Sequence, residues 1–79
     1  MKNVIKEKLI EVGDNDNKYI GENFTLAREF GTIPSGKKLN GQWVLRKING
    51  EYVDFDTYRN DIAEQYDLEL VKSEKNENN

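Results

Sequence analysis

The fold of this chain is decided by residues 42–66, which read QWVLRKINGEYVDFDTYRNDIAEQY. Asn49 and Gly50 stand between two runs rich in β-branched and aromatic residues. This pattern predicts a β-hairpin, because a two-residue type I′ turn needs positive φ at both central positions and Asn and Gly adopt it at little cost. Asp56 is the predicted N-cap of a following helix, because its carboxylate can accept hydrogen bonds from the free amides of the first turn. Apolar residues at helical spacing accompany it: Phe55, Tyr58, Ile62 and Tyr66.

The predicted turn decides which hairpin side chains share a face of the sheet. With Asn49 and Gly50 as the only turn residues, one face offers four apolar side chains to a core: Val44, Ile48, Val53 and Phe55. The other face carries three more, with Lys47 beside them: Trp43, Leu45 and Tyr52. Either the N-terminal segment covers this second face, or the face stays open as a binding patch.

The N-terminal third of the chain is less strongly patterned. Residues 1–12 carry apolar side chains at helical spacing, which predicts a short helix. The alternative is a strand at 8–12 that pairs with 18–24 across a polar loop at 13–17. This loop does not match a calcium-binding loop, because a count from Asp14 puts a lysine at the fifth position, where calcium needs an oxygen ligand.

The middle of the chain predicts a second short helix and a connector. Residues 23–30 favour one or two helical turns that place Phe24 and Phe30 in the core. Residues 32–40 contain the only proline and predict a loop. Residues 37–39 are the candidate for a short edge strand beside the hairpin.

Residues 67–71 predict a last strand that returns to the sheet. Residues 73–79 are polar and predict a flexible tail. We therefore expect a single α+β domain over residues 1–72. In it an antiparallel hairpin or three-stranded sheet packs against one or two short helices.

The composition excludes most catalytic and metal-binding chemistry. The 79 residues include no cysteine and no histidine, so thiolate sites and the commonest general base are both missing. We expect no enzyme activity, no metal and no cofactor. No apolar run is long enough to span a membrane, and the N-terminus has no secretory apolar segment. These features predict a cytoplasmic protein without a membrane partner.

Charge is divided along the chain. Residues 31–50 hold four cations and no acid, whereas residues 51–69 hold seven acids and one cation, Arg59. One interpretation is that the two segments face each other or are simply solvated surfaces. The other is that the acidic segment binds a basic partner.

The function that this pattern favours is a small, acidic, non-catalytic protein-binding module. A specific form is a phage-type accessory protein or inhibitor that docks on the nucleic-acid-binding surface of a host protein by imitating phosphate charge. The predicted partner-binding residues are acids and aromatic anchors: Asp54, Asp56, Tyr58, Asp61, Glu64, Asp67, Trp43 and Tyr52. The alternative is nucleic-acid binding by an aromatic and cationic set: Trp43, Tyr52, Arg46 and Lys47. The net charge of −3 disfavours this alternative, because it repels a polyanion.

Overall fold

The computed structural model describes residues 4–12 and 18–72. In these residues the chain forms six strands and one helix: β1 (Lys8–Glu11), β2 (Lys18–Ile20), β3 (Phe24–Glu29), β4 (Gln42–Lys47), β5 (Tyr52–Asp56), α1 (Arg59–Tyr66) and β6 (Glu69–Val71). The predicted loop at 13–17 and the predicted tail at 73–79 lie outside the described residues.

The strands form one sheet in the order β5-β4-β3-β2-β1-β6. Strands β1 to β5 follow one another as an antiparallel meander, and β6 pairs with β1 in parallel. Helix α1 carries the chain from β5 at one edge to β6 at the other. The predicted α+β class agrees with this architecture. The predicted three-stranded antiparallel sheet is wrong, because the sheet has six strands and is mixed.

Both segments that predicted N-terminal helices are strands. In β1 burial alternates residue by residue, with Leu9 and Glu11 buried and Lys8 and Ile10 exposed, as in a half-buried strand. The strand alternative at 8–12 is therefore correct and the helix at 1–12 is wrong over the described residues. β3 pairs with β2 on one side and β4 on the other, and this pairing overrides the helix propensity of its Leu, Ala and Arg residues.

Phe24, which begins β3, and Phe30, which follows its last residue, have different environments. Phe24 packs against the core beneath α1, as expected. Phe30 remains 60% exposed, so its predicted place in the core is wrong.

The hairpin between β4 and β5 has a three-residue loop rather than the predicted two-residue turn. The amide of Gly50 donates to the carbonyl of Lys47 at 2.8 Å, and the amide of Lys47 donates to the carbonyl of Glu51 at 2.8 Å. Gly50 has φ +98°, as predicted, whereas Asn49 does not have positive φ. This is a type I turn closed by a glycine in the left-handed region.

The predicted two-residue turn pairs Leu45 with Asp54 and Val44 with Phe55, and a β-bulge restores these two pairs. Arg46 pairs with Tyr52, but beyond a shift at Leu45 the partners are Leu45 with Asp54 and Val44 with Phe55. The longer loop and the bulge each offset the pairing by one residue, in opposite directions. Tyr52 therefore moves away from the face that it was predicted to share with Trp43.

Each face of the hairpin packs against a different cover. Helix α1 covers a core that draws on strands β1 to β4, on the helix itself and on the residue before β6. Its buried members are Leu9, Tyr19, Leu26, Trp43, Leu45, Ile62, Ala63, Tyr66 and Leu68. The opposite face is covered by the connector, where Ile33 and Leu39 pack on Val44 with Tyr52 and Phe55 alongside. The Trp43 face is thus closed by α1, not by the N-terminal segment. The expected edge strand at 37–39 is reduced to a single bridge from Thr32 to Lys38.

Helix α1 confirms the predicted helix but begins later than expected. Tyr58 is the N-cap and makes no side-chain cap hydrogen bond, so the Asp56 N-cap is wrong by two residues. Asp56 instead accepts the Tyr58 amide at 3.4 Å. Asp67 ends the helix at φ 57°. In the described part of the chain, no helix has the length and apolar character needed to cross a membrane.

Candidate partner-binding surface

An exposed row of side chains runs along the outer side of α1. Asp61, Glu64 and Asp67 are all exposed, and Tyr58 precedes them with 66% of its surface exposed. The four residues are three apart, and the i, i+3 spacing forms one inclined ridge on a helix surface. We call Tyr58, Asp61, Glu64 and Asp67 the acidic ridge.

No salt bridge among the described residues reaches the acidic ridge. The salt bridges there join Arg46 to Glu29 and Lys47 to Glu51, and neither reaches α1. The last turn of the helix contains no basic residue. Because the C-terminal end of a helix carries a partial negative charge, the helix backbone adds to the negative potential around Glu64 and Asp67.

Two of the predicted binding acids are not on this ridge. Asp54 and Asp56 lie on β5 beneath the helix and accept hydrogen bonds from it. The Tyr66 hydroxyl donates to Asp54 Oδ2 at 2.6 Å, and Gln65 Nε2 donates to Asp56 Oδ2 at 2.8 Å. Burial, followed by the hydrogen bond to Asp54, raises the pKa of Tyr66 to about 12. These two carboxylates therefore hold α1 on the sheet.

Neither predicted aromatic anchor on the hairpin belongs to the ridge. Trp43 is only 9% exposed and lies beneath the guanidinium of Arg59, whose central carbon is 5.7 Å from the ring centroid. Arg59 also donates to the Tyr19 hydroxyl at 2.9 Å. Tyr52 is half-buried on the opposite face. Of the three predicted aromatic anchors, Tyr58 is the exposed one.

The four residues of the alternative nucleic-acid set are not brought together on one surface. Arg46 and Trp43 lie on opposite faces of β4. Arg46 donates to both carboxylate oxygens of Glu29, at 2.7 and 2.9 Å. Their hydrogen bond lowers the pKa of Glu29 and raises that of Arg46. Lys47 lies 3.7 Å from the carboxylate of Glu51, so each cation already faces an acid.

The structure groups three residues that the sequence did not predict as binding residues: Arg28, Phe30 and Arg59. We call them the arginine patch. Arg28 stands opposite Trp43 across the β3–β4 pair, donates to the carbonyl of Gly41 at 3.0 Å and has its guanidinium 5.7 Å from the Phe30 ring centroid. Gly41 has φ +98°, a backbone conformation that favours glycine. An extended strand over residues 24–30 places Arg28 and Phe30 on the same face of the sheet as Trp43, whereas the predicted helix does not.

No described group of residues has the composition of a metal site. An open groove lies where the N-terminal segment meets the end of α1, lined by charges of both signs: Lys6, Glu7, Lys8, Asp67 and Glu69. Glu7 is occupied in accepting the amides of Asn23 and Phe24, at 2.7 and 3.1 Å. Glu7 therefore has a structural role at the wall of this groove.

Comparison of the chain with known protein families, with curated proteins and with solved structures finds no match.

Proposed function

We propose that this protein is a small non-catalytic binding module that docks on a basic surface of a protein partner through its acidic ridge. The observation that carries the proposal is the row of exposed carboxylates at Asp61, Glu64 and Asp67, to which no described cation forms a salt bridge. Unpaired charges on one face steer association with a partner of opposite charge. Tyr58 supplies an exposed aromatic side chain at the end of the same row, which suits an anchor.

The spacing of the ridge supports a more specific form of the proposal. A helix rises about 1.5 Å per residue, so successive acids of the ridge lie about 4.5 Å apart along the axis. Phosphates of one B-DNA strand lie about 3.4 Å apart along its axis. The ridge thus offers a short row of negative charges at a similar spacing. We propose a phage-type accessory protein or inhibitor that acts in the cytoplasm by occupying a nucleic-acid-binding surface of a host protein.

Direct binding of nucleic acid has less support from the described residues. Trp43 is covered by Arg59 and α1, which leaves little of its ring for a base to stack on. Arg46 is matched by Glu29, and a matched cation releases fewer counterions from a phosphate backbone.

The proposal is tested by capture of a protein from lysate on the immobilised chain. The test variant is Asp61→Lys/Glu64→Lys, and the matched control is Glu22→Lys/Glu51→Lys, which makes the same charge change at exposed sites away from α1. We expect the wild type and the control to capture the same basic protein after nuclease treatment, and the test variant to lose it. Added DNA should displace this protein, because both ligands would occupy one surface.

Two results would overturn the proposal. Capture that the test variant retains would show that the ridge is not the contact. Nuclease-sensitive capture, with single-stranded DNA bound more tightly by the test variant than by the wild type, would indicate a nucleic-acid-binding protein instead, because the reversal removes repulsion.

A further inference from the structure

Two arginines approach Trp43 on the face of the sheet that α1 covers. Arg28 stands directly opposite Trp43 in the β3–β4 pair, and side chains in such a pair have their Cβ atoms about 4.5–5.5 Å apart. Arg59, at the first position of α1, places its guanidinium carbon 5.7 Å from the centre of the Trp43 ring. The fold therefore brings one cation from the sheet and one from the helix to the same aromatic side chain.

Arg28 is held in place by neutral groups. Its Nε donates to the carbonyl oxygen of Gly41 at 3.0 Å, and its guanidinium carbon lies 5.7 Å from the centre of the Phe30 ring. No salt bridge between described residues involves Arg28. A guanidinium fixed through Nε still offers the four N–H groups of its terminal nitrogens, in a fork that matches a carboxylate. Because Arg28 is exposed, this fork is open to a ligand.

Arg59 supports the same charge from a more enclosed position. It is only partly exposed, its Nη1 donates to the Tyr19 hydroxyl at 2.9 Å, and its guanidinium carbon lies 5.6 Å from the centre of the Tyr19 ring. Among residues 4–12 and 18–72, no carboxylate forms a salt bridge with it. Arg59 therefore adds positive potential next to Trp43, whereas Arg28 supplies the accessible donors.

An exposed aromatic ring accompanies the Arg28 fork. Phe30 keeps 60% of its surface exposed, and it shares a face with Arg28 because the two residues are two apart in an extended segment. Aromatic residues and arginine are enriched at the centres of protein–protein interfaces and among the side chains that contribute most to binding. The pair therefore suits a ligand that combines a negative group with an apolar side chain.

The surrounding charge favours a short acidic peptide over a nucleic acid. The chain has a net charge of −3, and Asp61 and Glu64 are exposed on α1, the helix that also carries Arg59. A nucleic acid gains its affinity from many neutralised phosphates, but the arginine patch offers two cations. A longer polyanion would also meet the negative potential of the rest of the chain. One or two carboxylates match the patch better.

We propose that the arginine patch binds an acidic segment of a protein partner in which a carboxylate stands next to an aromatic side chain. Arg28 binds the carboxylate through its fork, Phe30 packs against the aromatic side chain, and Arg59 strengthens the local positive potential. This site takes a ligand of the opposite charge to the one that the acidic ridge binds. The inference therefore does not rest on the proposed function.

The test uses the one tryptophan of the chain as a reporter of this site. A peptide Phe-Glu-Glu-Phe, blocked at both ends, is titrated into the purified chain at physiological salt, with Phe-Gln-Gln-Phe as the uncharged control peptide. Tryptophan emission reports contact near Trp43, and calorimetry gives the dissociation constant. The test variant is Arg28→Gln. Its matched control is Lys18→Gln, which removes the same charge at an exposed strand residue; Lys18 pairs with Ala27 and so lies on the opposite face.

We expect the wild type and Lys18→Gln to bind the acidic peptide with similar affinity and a saturable change in tryptophan emission. Neither should bind the glutamine peptide. Arg28→Gln should weaken binding roughly tenfold or more, and Arg28→Lys should restore only part of it, because an ammonium group cannot make the bidentate contact. Circular dichroism shows that each variant is folded. The variant Asp61→Lys/Glu64→Lys should bind the peptide at least as tightly as the wild type, since the reversal removes repulsion.

Three results would overturn the inference. The first is a wild type that does not bind the acidic peptide or binds both peptides equally. The second is an unchanged dissociation constant in Arg28→Gln. The third is tighter binding of inorganic phosphate or of single-stranded oligothymidine, which would assign the patch to phosphate groups instead. None of these titrations involves the basic partner of the acidic ridge, so failure here is distinct from failure of the proposed function.

Discussion

The hydroxyl of Tyr66 donates a hydrogen bond to Asp54 Oδ2 at 2.6 Å, which joins the last turn of α1 to strand β5. Tyr66 is buried, and the bond reaches a carboxylate, so it belongs to the stronger class of protein hydrogen bonds. It fixes the helix, and with it the acidic ridge, on the sheet.

Replacing Tyr66 by Phe tests this attachment. We expect Tyr66→Phe to lower the free energy of unfolding by roughly 1.5–3 kcal/mol, because a hydrogen bond to a charged group is lost. Chemical denaturation at neutral pH measures this change. A loss no larger than that caused by Tyr58→Phe, at an exposed tyrosine, would show that the bond adds nothing.

The same residue predicts a decline in stability at alkaline pH. The pKa of Tyr66 is about 12 in the folded protein, above the usual 10.0. Since the folded state holds this proton more tightly, the resulting stability is fully present below pH 10 and is lost as the pH rises towards 12. The free energy of unfolding of the wild type should therefore fall more steeply over this window than that of Tyr66→Phe. Parallel curves would contradict the account.

The loop of the hairpin gives a prediction that separates two turn types. Gly50 has φ +98° and Asn49 does not have positive φ. Gly50→Val should therefore cost more than ~1 kcal/mol, because a β-branched residue resists that backbone region. Asn49→Ala should cost less, since it loses only the side-chain bond to the Glu51 amide. In a two-residue type I′ turn both positions need positive φ, so a larger loss at Asn49 would contradict the three-residue loop.

Burial in α1 predicts opposite behaviour for adjacent residues. Ile62 is fully buried and Asp61 is exposed. Ile62→Ala should lose ~2–4 kcal/mol through lost burial and the cavity left behind, whereas Asp61→Ala should change the melting temperature little. Thermal unfolding of the two variants measures both effects. Equal shifts would mean that the helix packs through a different face.

Much of the hairpin and helix could be predicted from local residue types. The Asn49-Gly50 pair, the apolar spacing around Ile62 and the exposure of Asp61 and Glu64 each depend on neighbours within a few positions. The hairpin register from Val44 to Leu45 was also predicted correctly, although the loop is one residue longer, because the bulge cancels the difference.

The rest of the sheet depends on contacts that local pattern does not reveal. The stretch from Phe24 to Glu29 has residues that suit a helix, and it becomes a strand because β2 and β4 pair with it on both sides. The arginine patch was missed for the same reason: Arg28 and Phe30 share a face only when this stretch is extended. The local pattern predicts Asp54 and Asp56 as surface acids, because it does not show that α1 packs over them.

The most direct test of the central claim is photocrosslinking from the acidic ridge in lysate. A photoreactive amino acid replaces Asn60, which is exposed on α1 beside the ridge, or Asn40, which is exposed on the connector as a matched control. We expect nuclease-resistant adducts with one basic protein from position 60 and not from position 40, and their loss at high salt because exposed charges are screened. Equal adducts from both positions, or adducts with nucleic acid from position 60, would contradict the claim.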